Sequence, residues 1–179
     1  MRYLIVSTLI LLFSCSEKNS RIETKIDLSS RKLNSIPDSI FEYKDLTELE
    51  LGAKEVIFYP PLSALSEGDK DRNHIVELTE RISELKHLKV LTLNSNDLKS
   101  LPKSISKLEN LEVLDLSLNK NLNIVAEIPK LKSLPKLKVL KIVDTKFDKN
   151  DLETIQKSIG SKIKLIYSIN DYMESYSNE

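Results

Sequence analysis

The stretch Leu88-Lys89-Val90-Leu91-Thr92-Leu93-Asn94-Ser95-Asn96-Asp97-Leu98-Lys99-Ser100-Leu101-Pro102-Lys103-Ser104-Ile105-Ser106-Lys107-Leu108 carries two periodicities in succession. Leu91 and Leu93 alternate with Val90 and Thr92, the pattern of a short strand with one face buried. Leu101, Ile105 and Leu108 then recur at helical spacing and face the same core from the opposite side. Between the two, Asn96 offers an amide and a carbonyl to the backbone groups of a buried turn, which need partners. Pro102 suits the first turn of the helix that follows, where no amide donor is required.

The opening phrase recurs. Leu46, Leu49 and Leu51 carry it, as do Leu111, Leu114, Leu116 and Leu137, Leu140, Ile142. Successive phrases from Leu88 start 23 and then 26 residues apart. A period in this range means stacked supersecondary units. An earlier unit holds Ile26, Leu28, Leu33, Ile36, Pro37 and Ile40, with Arg31 where asparagine is expected. The unit from Leu111 keeps Asn119, whereas that from Leu137 has Thr145 there and Phe147 at the next anchor. A last strand is expected within 163–169.

The 42 residues from Leu46 to Leu88 contain only one strand phrase. They read as one enlarged repeat, 46–87, with a protruding polar loop at 66–73. A longer convex helix is expected on Ile75, Leu78, Ile82 and Leu85, with Asp71 or Asn73 capping its start.

These residues resemble the leucine-rich repeat family over Thr24 to Ile169. The resemblance implies an α/β solenoid, with short parallel strands on a concave face and helices or 3-10 turns on the convex face. It implies a repeat domain at 24–170, followed by a polar tail at 171–179. It also implies non-covalent binding, most simply of another protein, by a non-enzymatic module that needs no cofactor. A structural envelope spacer without a specific ligand, or one stabilised by calcium through the 69–80 loop, is the alternative.

Bulk composition narrows the function further. Lysine plus arginine equals aspartate plus glutamate at 27 each, so no net field favours nucleic acid or an anionic membrane. There is no tryptophan, and the three glycines leave little material for a phosphate-binding loop. The only cysteine, Cys15, allows no intramolecular disulfide.

Residues 1–14 combine a positive Arg2 with an apolar run from Tyr3 to Phe13, shorter than the roughly 20 residues of a membrane span. Leu12-Phe13-Ser14-Cys15 resembles the lipobox of bacterial lipoproteins, with Phe13 bulkier than usual. The resemblance implies a signal peptide over 1–14, cleavage before Cys15, and lipidation of that cysteine with palmitate-type chains. Residues 15–23 then form a lipidated tether. Ser16, in place of an aspartate, leans towards the outer membrane or cell surface rather than the inner membrane. An uncleaved anchor or ordinary signal peptide is the alternative.

In a repeat solenoid the residues between the leucine anchors face the concave side. The register assigns a partner-binding set of Val90, Thr92, Val113, Asp115, Leu118, Val139, Lys141, Val143, Leu165 and Tyr167. The apolar members cluster towards the C-terminal end, where they form either an interaction patch or a seat for a C-terminal segment folded over them. Asp69, Asp71, Asn73 and Glu80 have the spacing of a calcium loop, although His74 stands where that loop needs glycine. No catalytic residues stand out, and His74 and His87 read as surface residues. A monomer is expected, with no nucleic acid partner.

Overall fold

A computed structural model describes residues 24–54 and 71–177. The segment 1–14, Cys15, the remainder of the tether to residue 23, and residues 55–70 lie outside the described residues. No helix among the described residues is long and apolar enough to cross a membrane.

Each leucine phrase forms a three-residue strand: β1 (Lys25–Asp27), β2 (Glu48–Glu50), β3 (Val90–Thr92), β4 (Val113–Asp115), β5 (Val139–Lys141) and β6 (Lys164–Ile166). All pairs are parallel, and the spatial order follows the chain. Leu49, Leu91, Leu114 and Leu140 are aligned in adjacent strands. Each is fully buried, as are Leu51, Leu93, Leu116 and Ile142. Alternation therefore sends one leucine column inward and leaves the intervening side chains on the concave face.

The convex side closes the core with Ile40, Ile82, Ile105, Ile128 and Ile155. In the early repeats these residues sit on or beside five-residue 3-10 helices at Asp38–Glu42, Glu80–Glu84 and Lys103–Lys107. The longer unit from Leu111 has room for a true α-helix, α1 (Ile124–Leu131), and α2 (Lys149–Ile159) follows in the next. The longer convex helix expected after residue 75 does not form. Ile75 and Leu78 are buried on extended chain, with Glu77 bridged to Ser100, and only Glu80–Glu84 turns. Among the described residues the enlarged repeat thus carries the same short convex turn as its neighbour.

Three asparagines bind the coils together. Asn96 accepts from the Ile75 amide at 3.0 Å and donates to Leu51 and Leu93 carbonyls at 3.0 and 3.1 Å. Asn119 repeats the arrangement one coil on, accepting from Leu98 and donating to Leu93 and Leu116. Asn73 is the third member. Its Oδ1 accepts from the Arg31 and Leu33 amides at 3.0 and 2.9 Å, and its Nδ2 donates to Leu28 and Leu51 carbonyls at 2.9 and 2.8 Å. It caps no helix; the cap of Glu80–Glu84 is Thr79. Such turns bury backbone groups that would otherwise be costly orphans. Ser95 and Leu118, each just before a ladder asparagine, adopt positive φ of 56° and 61°, so the turns are made without glycine.

Capping also passes between coils. Glu80 accepts from the Lys103 and Ser104 amides at the start of the next 3-10 helix, at 3.1 and 2.8 Å. Buried Glu127 accepts from Leu101, and Lys130 bridges Glu127 to the Leu101 carbonyl, both at 2.7 Å. At these two places one coil satisfies its neighbour's orphan donors.

Candidate functional site

From β1 to β5 the first outward column is Lys25, Glu48, Val90, Val113 and Val139, and the second is Asp27, Glu50, Thr92, Asp115 and Lys141. At β6 the phase differs from the sequence expectation. Lys164 pairs with Val139, Leu165 with Leu140 and Ile166 with Lys141. Leu165 is therefore an inward residue packed against the core, and Tyr167 lies beyond the strand, 36% exposed. The run Leu165-Ile166-Tyr167 is apolar throughout, so alternation cannot fix its register from sequence.

The C-terminal half of the face is occupied by the chain itself. Residues expected as a polar tail form α3 (Ile169–Ser177). Tyr172 on α3 is fully buried and packs with Val143 and Ile166, with half-buried Val139 beside them. Its hydroxyl donates to Asp115 Oδ2 at 2.8 Å, while the Ser117 amide donates to Asp115 Oδ1 at 2.9 Å. Lys141 Nζ lies 5.4 Å from the Tyr172 ring centroid, within cation–π range. Burial pushes the Asp115 carboxyl above its ordinary value, against the pull of Ser117, Tyr172 and Lys141. Asp115, Lys141 and Val143 are thus buried rather than open to a partner. Leu118 is half-buried at its left-handed turn.

What remains open is a groove of about 710 Å³ over β1–β4. Its floor is Val90, Thr92 and Val113. At one end Lys25 bonds to Glu50 at 2.6 Å and approaches Glu48 at 3.4 Å. The Glu50 carboxylate beside Lys25 holds that ammonium above its usual value. Asp27 lies 3.9 Å from Lys54. At the other end Met173 projects from α3, 54% exposed. This arrangement, two valines and a threonine between a charged end and the Asp115, Lys141, Tyr172 and Met173 end, suits reversible contact with a polypeptide.

The calcium set does not assemble. Asn73 uses its side-chain oxygen on two backbone amides. Asp71 pairs with Lys32 at 2.6 Å, and Glu80 caps the neighbouring coil; Asp69 lies outside the described residues. Among the described residues no group of three metal-ligating side chains converges. His74 Nδ1 lies 2.9 Å from Asp97 Oδ2, and Arg72 bonds the other Asp97 oxygen at 3.0 Å. Burial pushes Asp97 up, but the bonds from Arg72 and His74 outweigh it and hold the carboxyl below its ordinary value. His87 is exposed in a turn.

Sequence reading missed Tyr172 and Met173. The available signal was the spacing of Ile169, Tyr172 and Met173, which places three apolar or aromatic residues along one helix face.

No family model and no curated protein matches this chain. Among solved structures it is similar to the plant peptide hormone receptor RGFR1 in complex with RGF2, at 27% identity over 62% of this chain and 15% of that one, with a TM-score of 0.44. It is also similar to a leucine-rich repeat protein of Leptospira interrogans, at 19% identity over 79% of this chain and 53% of that one, with a TM-score of 0.36. The chain thus spans only part of the length of both. The class rests on the chain's own geometry. Six consecutive parallel strands with an inward leucine column and an asparagine ladder define an α/β leucine-rich repeat solenoid.

Proposed function

We propose that this chain is a non-enzymatic protein-binding module of the bacterial envelope, anchored through lipidated Cys15 at the outer membrane or cell surface. Its partner occupies the groove over β1–β4, touching Glu48, Glu50, Val90, Thr92 and Val113. The observation that carries this reading is that α3 covers only the C-terminal part of the concave face, leaving these side chains accessible in register. A flat array of short strands offers many weak contacts of fixed spacing, which suits recognition rather than catalysis.

Two measurements test it. With a photoreactive residue at Thr92, a discrete envelope or host protein is expected to crosslink, and Val113→Asp is expected to weaken capture at least tenfold while the melting temperature moves little. Capture unaffected by Val113→Asp would place the partner elsewhere. Separately, labelled palmitate is expected in the full chain and absent from Cys15→Ala; equal labelling, or none in either, would refute lipid anchoring.

A further inference from the structure

We infer that the edge of the solenoid formed by the turns leading into β3–β6 is a cationic docking surface for an anionic lipid bilayer, which sets how the domain stands on its membrane. The inference rests on the anchoring reading above.

The equal totals of acidic and basic residues hide an uneven distribution. The turns into β3, β5 and β6 place Lys86, Lys89, Lys136, Lys138 and Lys162 on one edge, all exposed, with exposed His87 among them. The carboxylates on the same stretch are Glu109 and Glu112, both from the turn into β4. The backbone fixes these turns side by side: the Glu112 amide donates to the Lys89 carbonyl, that of Lys138 to Glu112, and that of Lys164 to Lys138. Lys138 bonds Glu112 at 2.5 Å, and Lys136 bonds Asn110 at 2.7 Å. The Lys138 bond, with Lys89 and Lys136 nearby, holds the Glu112 carboxyl below its ordinary value. Two carboxylates thus stand among five ammonium groups and leave the edge positive. Lys44, at the turn into β2, is bonded to Glu84 on the convex side and adds little.

The second observation is where the chain enters. Thr24 continues the same row: its carbonyl accepts from the Thr47 amide at 2.7 Å and from the Thr47 hydroxyl at 2.9 Å, and the Lys89 amide in turn donates to Thr47. The segment running back to Cys15 therefore joins the domain at the lysine-bearing edge. Eight residues lie between Cys15 and Thr24, so the leash reaches at most about 32 Å. An anchor on that leash holds this edge near the bilayer. Each lysine brought to an anionic surface then contributes roughly a fivefold gain in partition, over a screening distance of about 10 Å. Weak sites suffice, because tethering supplies the effective concentration.

The test omits the anchor, so its outcome does not depend on lipidation. The packed core is made by residues 26–172, and the chain from Ser16 onward keeps all of it. This chain is sedimented with vesicles of phosphatidylcholine alone or mixed with phosphatidylglycerol. Binding is expected only to the anionic vesicles, falling at least tenfold between about 50 and 300 mM salt. The variant Lys86→Glu/Lys89→Glu/Lys162→Glu is expected to bind about a hundredfold more weakly with its melting curve preserved. The control Lys99→Glu/Lys120→Glu/Lys146→Glu is expected to bind as the unmodified chain. Indifference to lipid charge, no binding to anionic vesicles, or an undiminished triple reversal would overturn the inference. Binding to a soluble polyanion such as heparin without vesicle binding would overturn it in favour of an anionic polymer. Failure of palmitate labelling alongside salt-sensitive vesicle binding would remove the anchor and leave the surface.

Discussion

Tyr172→Ala is expected to lower unfolding free energy by about 3–5 kcal/mol, the range for deleting a fully buried aromatic side chain, and to lower the melting temperature by about 10 °C. The ring is completely enclosed between α3 and the last strands, and it covers Val143 and Ile166. Removing it frees α3 and exposes an apolar patch at β5 and β6. Urea unfolding and near-ultraviolet dichroism check this; an unchanged midpoint would show that α3 does not dock. Tyr172→Phe separates packing from hydrogen bonding. It keeps the ring but removes the donor to Asp115, at a cost of about 1–3 kcal/mol. The pH dependence has a definite sign. The folded Asp115 carboxyl lies above its ordinary value, so its stabilising contribution is present below that ordinary value and is lost as pH rises through the folded one. Tyr172→Phe removes a group that favours the charged form, so it is expected to steepen this loss with rising pH.

Asn73→Ala is expected to be as damaging, by a different route. The substitution orphans the Arg31 and Leu33 amides and the Leu28 carbonyl, and takes from the Leu51 carbonyl one of its two donors, Asn96 keeping the other. With about 1–3 kcal/mol for each of three partly buried groups left unsatisfied, a loss of about 3 kcal/mol or more is expected on that same basis. Asp71→Ala, whose carboxylate pairs with exposed Lys32, is expected to cost less than about 1 kcal/mol. Excess calcium is expected to leave the unfolding midpoint of the parent protein unchanged. A calcium-dependent rise abolished by Asn73→Ala would restore the metal reading and remove Asn73 from the ladder.

These two residues mark where the sequence was readable and where it was not. The unit at Leu88–Leu108 named its inward anchors and its asparagine because every spacing survives there, while the helix expected at Leu101–Leu108 is a 3-10 turn at Lys103–Lys107 that Pro102 precedes. The outward columns from β1 to β5 followed, since parallel pairing of identical phrases leaves one register. Asn73 was obscured because it follows Leu51 by 22 residues, whereas Asn96 follows Leu93 by 3. Its role depends on spatial position in the stack, which local spacing does not encode. At β6 three consecutive apolar residues erased the phase. The face was legible as a face, but which half is open depended on α3, whose helical pattern sits in a polar stretch. The lysine edge was invisible in totals, because acids elsewhere balance it.

The resumption of the ladder at Asn73 also says something about what this scaffold tolerates. The coil recovers its alignment after 19 residues more than its neighbour has between the strand and its asparagine, because the amide only has to arrive at the right place by whatever route. Doubling such a detour costs roughly 0.6 kcal/mol of closure entropy, small beside the four bonds waiting at its end. The spine is therefore indifferent to chain length between Lys54 and Asp71, and adding a few residues there is expected to leave Asn73 in its place in the ladder.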